Sequence, residues 1–449
     1  MVDVMVIETP NLGDRSYVVH DGESALVVDP QRDVDRVLDR LDRHGLRLTA
    51  VAETHLHNDY VTGGLELARR TGAGYLVSAD DDVAYDRVPV RDGDAVEVGA
   101  LTVRALRTPG HTPNHVSYVV EQDGSARAVF TGGSLLFGST GRTDLIGPQR
   151  TEQLAHAQWR SARRLADELP PGTAVYPTHG FGSFCSASPA SGTESTIGRE
   201  REVNPALTRD EARFVAETIA GLDVHPAYYV HMAPINAAGP APVDLSLPPV
   251  AGDVARRIDA GEWVVDVRPR TDFAAAHTPG TLSFDGTENV PTYLGWLLPW
   301  GTPVTLLGAA PADVAAVQRE LVRIGIDRPA AMAVGGPRAW APERGSASYR
   351  VASFDELAAA SGAPGLAVLD VRRESEWREA HIDGAVHVPL HELRERMAEV
   401  PDEELWVHCG IGFRAAVAAS MLAAAGHRVV LVDDEFERAE KAGLALVRP

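Results

Sequence analysis

Two imidazoles one residue apart give this sequence its first chemistry. They stand in Thr54-His55-Leu56-His57-Asn58-Asp59-Tyr60, directly after an apolar run ending near Ala52. Side chains two positions apart leave a strand end on the same side, so both rings can reach one ion. A further histidine follows a β-type run in Thr108-Pro109-Gly110-His111-Thr112, and another closes Tyr176-Pro177-Thr178-His179-Gly180. Neutral imidazole is the usual nitrogen ligand for zinc and for ferrous iron, so four histidines at strand-to-loop junctions make a candidate metal set.

The second chemistry is a thiol. The run Leu405–His408 leads into Cys409-Gly410-Ile411-Gly412-Phe413-Arg414 and then into a helical stretch, Ala415–Ala425. A cysteine followed by two glycines can be ringed by backbone N–H groups and by the positive end of the next helix. That setting favours a thiolate, with Arg414 adding a formal charge. Cys409 is therefore an expected nucleophile, Arg414 its charged partner, and Gly410, Ile411, Gly412 and Phe413 the candidate substrate cradle. The sequence holds one other cysteine, Cys185, just beyond His179. It reads either as a second sulfur-handling thiol or as a buried small hydrophobe. The two thiols fall in different segments, which rules out a disulfide framework.

Positioning these groups takes several folding units. A chain of 449 residues exceeds one ordinary core and suggests about three domains. Residues 1–125 alternate short β runs (Met1–Glu8, Ser16–His20, Ala25–Val28, Thr102–Leu106, His115–Val120) with amphipathic helical stretches at Asp33–His44 and Gly63–Thr71, the pattern of an α/β sandwich. A helix around Glu152–Glu168 and a strand at Ala174–Tyr176 precede a Gly/Ser/Pro/Thr-rich loop from Gly180 to Gly198, and Pro240–Val250 reads as a linker. Beyond it a layout appears twice, with a period of roughly 100 residues: a strand ending in Asp266-Val267-Arg268, then His277 and Gly280, and a strand ending in Asp370-Val371-Arg372, then His381 and Gly384. The first copy has Gly308-Ala309-Ala310-Pro311-Ala312-Asp313 where the second has its cysteine loop, although it keeps Gly335-Gly336 and Trp340. The expected boundaries are 1–245, 246–345 and 350–449.

A net charge of −21 excludes nucleic acid and anionic membrane as partners, since phosphate binding needs a basic face. No apolar run reaches the ~20 residues of a membrane span, and no basic segment with a cleavage site opens the chain, so a cytoplasmic location is expected.

The order His-x-His-x-Asp, Pro-Gly-His-Thr, Phe130-Thr131-Gly132 and a late histidine resembles the metallo-β-lactamase superfamily. Gly141-Arg142-Thr143-Asp144 and the attached modules resemble its persulfide dioxygenase branch, related to glyoxalase II, and Cys-x-x-Gly-x-Arg resembles the rhodanese active loop. The resemblance implies an α/β fold: an N-terminal αββα metallo-β-lactamase sandwich followed by two rhodanese-like α/β domains with parallel sheets, the first without its catalytic cysteine. Related fusions also place a cysteine near the metal pocket, which makes Cys185 a candidate catalytic thiol. The chain departs from the family pattern at Tyr60, where a histidine is expected, and at Gly133, where an aspartate is expected. A dinuclear site is thereby disfavoured. What remains is one Fe(II) or Zn(II) per chain on His55, His57 and His111, with Asp59 and His179 able to ligate or orient. Tyr60 and Arg142 are candidate substrate contacts, Arg142 also bracing the loop at Gly141.

The implied function is persulfide processing: oxidation of a low-molecular-weight, glutathione-like persulfide to sulfite at the metal, and sulfur transfer through a Cys409 persulfide, with thiosulfate as another sulfur source and a homo-oligomer as the expected assembly. The alternatives are a zinc-dependent thioester hydrolase of the glyoxalase II kind, and a metal-free scaffold carrying one working rhodanese.

Overall fold

The computed structural model describes residues 2–188, 192–286 and 289–448; residues 189–191 of the expected Gly180–Gly198 loop lie outside them. The chain divides into two compact units, Met1–Val243 with Val322–Gly325, and Asp244–Leu321 with Ile326–Pro449. No helix among the described residues is long and apolar enough to cross a membrane.

The first unit is an αββα sandwich. One six-stranded sheet runs in chain order from Asp3–Thr9 to Val88–Val90, its first two pairings antiparallel and its last three parallel. The second six-stranded sheet runs from Ala95–Val98 to Ser195–Thr196, with one parallel pairing between Ser125–Gly132 and Ala174–Pro177. Alternation along the strands builds both faces. Leu26, Val28, Ala50 and Ala52 meet Val103, Ala105, Tyr118 and Phe130 between the sheets. Ala25, Val27 and Val51 pack outward under helices Asp35–His44 and Gly64–Thr71. Helix Pro148–Glu168 covers the other outer face, over Val119, Val129 and Val175. Strands Arg47–Ala52, Leu101–Arg107, Ser125–Gly132 and Ala174–Pro177 each end just before a segment carrying His55, His111, Gly133 or His179.

The second unit holds two parallel sheets. Leu282–Ser283, Trp263–Asp266, Val304–Gly308 and Ala331–Val334 form one of four strands in that order. Arg350–Ala352, Val429–Val432, Glu404–His408, Leu366–Asp370 and Val386–His387 form one of five. The repeated motif closes the same lock in each. Arg268 donates to Asp266 at 2.6 Å and to the Ala276 carbonyl at 2.9 Å. Arg372 donates to Asp370 and to the Ala380 carbonyl, both at 2.7 Å. His277 stacks on Phe273 and His381 on Trp377, with ring centroids 4.3 and 3.6 Å apart.

Candidate functional site

In the first unit, three buried imidazoles are held in one way. Nδ1 of His55 lies 2.9 Å from Thr54 Oγ1, Nδ1 of His111 is 2.7 Å from the Arg142 carbonyl, and Nδ1 of His179 is 2.8 Å from Asp14 Oδ1. Thr54 Oγ1 donates its own proton to Asp29 Oδ2 at 2.7 Å, so it must accept from His55 Nδ1–H, and the Arg142 carbonyl can only accept from His111. The outer nitrogen of each of these two rings thus carries the proton and Nε2 keeps its lone pair facing inward, as in a metal-binding histidine. The Nε2 atoms of His55 and His179 face each other at 3.4 Å, His111 Nε2 is buried without a hydrogen-bond partner, and the ligand atoms of the three lie within 4.8 Å of one another.

The structure therefore groups the histidines differently from the expected His55, His57 and His111. His57 turns Nε2 away, toward Asp29 Oδ1 at 3.2 Å, Glu53 Oε2 at 3.4 Å and the Tyr60 hydroxyl at 3.0 Å. Its Nδ1, buried and unpartnered, joins Asp59 and His179 in a second group. His179 belongs to both. The Tyr60 ring stacks on His57 with centroids 4.2 Å apart, and its hydroxyl also donates to the Asp29 carbonyl. Fully buried and committed on both sides, Tyr60 orients His57 instead of meeting a substrate. Asn236 clamps the same turn, donating to the carbonyls of His57 and Tyr60 at 3.0 and 2.9 Å.

The charges are arranged for a cation. Burial, then the neighbouring rings led by His57, holds His55 well below the ordinary imidazole range, and burial and His179 push His111 down to about 3. Against burial, Asp29 and Glu53 raise His57 to about 9, and Asp59 and Asp14 raise His179. Burial and the Asp59 charge push the Asp14 carboxyl up, whereas His179 overcomes burial to hold Asp59 down. Inward nitrogen lone pairs on His55 and His111, beside the Asp59 carboxylate 3.1 Å from His179 Nδ1, in a buried pocket, are the donor set of a divalent metal, and these residues fit one.

Gly133 explains the missing aspartate sterically. A Cβ there would lie 2.3 Å from His111 Cδ2 and 2.5 Å from Cγ, and one at Gly141 would lie 2.6 Å from His111 Nδ1. The imidazole fills the space between two glycines. Arg142 is a brace: it forks onto Asp144 with two bonds of 2.7 Å and donates to the carbonyls of Phe184 and Asp223. Cys185 is buried, and its carbonyl accepts from Arg142 N–H at 2.8 Å. Burial, then the Asp59 and Asp14 charges, pushes its thiol up, so the sulfur stands protonated beside that carboxylate pair.

In the second unit, strand Glu404–His408 delivers Cys409 to the start of helix Phe413–Ala424. Gly412 adopts φ 97°, a left-handed value that suits glycine, and its N–H donates to Cys409 Sγ at 3.2 Å. Arg414 forks onto Glu376 at 2.6 and 2.7 Å. Against burial, the Arg414 guanidinium holds the Glu376 carboxyl down at about 2. A cleft of 860 Å³ opens beside the loop, lined by Arg372, Glu376, Gly410, Ile411, Glu435 and Phe436 among others. The cysteine itself is only 1% exposed, while Ile411 stands 55% exposed at the rim. Of the acidic run after Val432, Asp433 is paired with Arg270 at 2.8 Å and Asp434 accepts from Phe354 N–H at 3.1 Å, leaving Glu435 on the cleft.

The family model of the metallo-β-lactamase superfamily matches residues 12–179, and that of the rhodanese-like domain matches residues 353–442. Persulfide dioxygenase ETHE1, mitochondrial, of Homo sapiens is 31% identical over 204 residues, covering 44% of this chain and 74% of that protein. The chain belongs to the metallo-β-lactamase superfamily. A hydroxyacylglutathione hydrolase of Methylococcus capsulatus is 34% identical over 181 residues, 39% of this chain and 66% of that protein. A crystal structure of a metallo-β-lactamase from Staphylococcus aureus subsp. aureus COL superposes with a TM-score of 0.67 at 26% identity, covering 74% of this chain and 99% of that one. The metallo-β-lactamase module is thus fused to a C-terminal rhodanese-like domain, and its relatives are enzymes of sulfur and thioester chemistry.

Sequence reasoning passed over several groups of this metallo-β-lactamase site. Asp14, Asp29 and Asn236 lie far from the histidines in sequence, and no local motif marks them, whereas Glu53 stands two residues before His55. His115, stacked on His55 with centroids 5.0 Å apart and accepting from Gly133 N–H at 3.1 Å, follows His111 closely enough that the spacing could have flagged it. Glu376, the carboxylate under Arg414, sits in a helix with no signal of its own.

Proposed function

We propose that this chain oxidises a low-molecular-weight persulfide at its metallo-β-lactamase site and transfers sulfane sulfur through Cys409. The observation that carries the reading is the convergence of His55, His111 and His179, their outer nitrogens tied off and their Nε2 atoms turned inward. A ferrous ion held there, with His57 and Asp59 at its margin, would supply dioxygen activation. The balanced reaction takes a persulfide, one dioxygen and one water to a thiol, sulfite and two protons. Thr54 and the Arg142 carbonyl fix the tautomers of His55 and His111, while Asp14 and Asp59 hold a proton on His179 Nδ1. Cys185, a protonated sulfur beside Asp59, offers its S–H to the substrate sulfur. Burial of the whole cluster excludes bulk water from the reacting sulfur.

At the rhodanese-like domain, Gly412 N–H and the helix start at Phe413 stabilise sulfur anions on Cys409, and the Glu376–Arg414 pair fixes the loop. The middle sheet, with the same Asp-Val-Arg lock and no cysteine, is a rhodanese-like module without a nucleophile of its own.

The test combines metal analysis of the purified chain with oxygen uptake on glutathione persulfide. The expected result is about one iron per chain, oxygen-dependent sulfite release, and loss of both in His179→Ala. Bound zinc with thioester hydrolysis and no oxygen uptake would replace this reading with hydrolysis, and a metal-free, oxygen-silent chain would leave a scaffold.

A further inference from the structure

Cys409 is buried, so a sulfur carrier must be small enough to reach it past the walls of its loop, and one of those walls opens on the 860 Å³ cleft. Phe436 fastens the cleft to the loop. Its N–H donates to the Gly410 carbonyl at 2.9 Å, and its ring lies against the Arg372 guanidinium, with Cζ 3.5 Å from the centroid. Gly410 also faces the ion pair beneath the loop: a Cβ there would lie 3.1 Å from Arg414 Nη2 and 3.7 Å from Glu376 Oε1.

The charges that line this cleft do not cancel. Arg372 is spent on Asp370 and Arg448 on Glu440, at 2.7 and 2.8 Å. Glu376 is held by both Arg373 and Arg414. Glu379, Glu435 and Glu437 line the cleft as well, stand exposed, and form no ion pair among the described residues. Even with the second guanidinium on Glu376 counted, carboxylates are in excess beside the nucleophile. A dianion such as thiosulfate is repelled there, and a carrier bearing an ammonium group is attracted.

We propose that Glu379, Glu435 and Glu437 set the specificity of the sulfur-transfer site for the persulfide of a small aminothiol, drawing its ammonium group to the cleft while its terminal sulfur meets Cys409. The inference rests on the sulfurtransferase reading of Cys409 and names its substrate class. In the transfer step the Cys409 thiolate bonds to the terminal sulfur of the persulfide and the carrier's sulfur–sulfur bond breaks. The electron pair leaves on the carrier sulfur, which takes a proton from water, so no oxidant or reductant is consumed.

The experiment uses the full chain and two carriers of matched length and opposite charge, cysteamine persulfide and 3-mercaptopropionate persulfide. Mass spectrometry follows the rate at which sulfur is added to Cys409 in wild type and in the double variant Glu435→Gln with Glu437→Gln. For charges about 10 Å apart in water, loss of two carboxylates should narrow the preference for the ammonium carrier about threefold at about 0.1 M salt and roughly sevenfold at about 10 mM, where screening is weaker. Thiosulfate should react faster with the variant than with wild type, and the unfolding midpoint should not move. A preference that is the same in the two proteins at low salt overturns the inference while sulfur transfer through Cys409 still stands. Absence of added sulfur on Cys409 of wild type with both persulfides and with thiosulfate overturns the sulfurtransferase reading and the inference with it.

Discussion

A methyl group placed on Gly133 collides with an imidazole. Its carbon would stand 2.3 Å from His111 Cδ2, 2.5 Å from Cγ and 2.9 Å from Nε2, inside van der Waals contact at every point. Gly133 does not adopt a left-handed φ, so the obstacle is the ring and not the backbone. The ring has no retreat: Gly141 backs its other side, where a Cβ would lie 2.6 Å from Nδ1, and that nitrogen is held 2.7 Å from the Arg142 carbonyl. Overpacking of this kind costs about 1–3 kcal/mol. Gly133→Ala should lose that much stability, and Gly133→Asp should lose it while displacing His111 from the metal set. Restoring the carboxylate found elsewhere in the family therefore exchanges one ligand for another. The assay is a double-mutant cycle of Gly133→Asp with His111→Ala, read by thermal unfolding and by metal content. Removing the ring gives the carboxylate room, so the double variant should be more stable than the sum of the single effects by about 1 kcal/mol or more. A Gly133→Asp protein of unchanged stability that binds metal as tightly as wild type, His111 still ligating, would refute the steric argument.

Two other outcomes follow from ion pairs. Because Arg414 and Arg373, against burial, hold the Glu376 carboxyl down from 4.5 to about 2 in the folded chain, its ion pairs together contribute roughly 3 kcal/mol, at 1.36 kcal/mol for each tenfold change in proton affinity. A depressed acid stabilises above its unfolded value, so the contribution is complete above about pH 4.5 and fades as pH falls toward 2; urea unfolding of Glu376→Gln should show a deficit at pH 7 that shrinks steadily through that window. Arg142→Ala strips the partner from Asp144 and from two carbonyls, and it should cost about 3–5 kcal/mol. It should also lower metal content through the loosened His111, and Arg142→Lys should restore little of either, because an ammonium cannot fork.

The parts of this protein that were legible in the sequence are those that chemistry writes locally. His55 and His57 announce themselves by spacing at a strand end, Cys409 by the glycines and helix that follow, and the second unit by an Asp-Val-Arg segment that recurs. The division of labour among the histidines was not legible, because it is decided across the fold. His57 is turned by Asp29, which sits at a left-handed φ of 50° and ties Thr54, Thr178 and His57 together. His179 is oriented by Asp14, 165 residues away. Tyr60 reads as a substrate contact because a phenol hydroxyl can hydrogen-bond a sulfur or an oxygen, and only packing against His57 assigns it an orienting role. The alternation that predicts strands carries no information about which of these distant groups meet.

The lock shared by Arg268 and Arg372 has a use of its own. In both sheets the guanidinium closes a strand end onto a helix end, and only one of the two stands beside a thiol. The molecule thereby carries its own internal control. A change at Arg372 that weakens turnover can be compared with the matching change at Arg268, where there is no sulfur to mishandle, and the part of the effect common to both belongs to architecture.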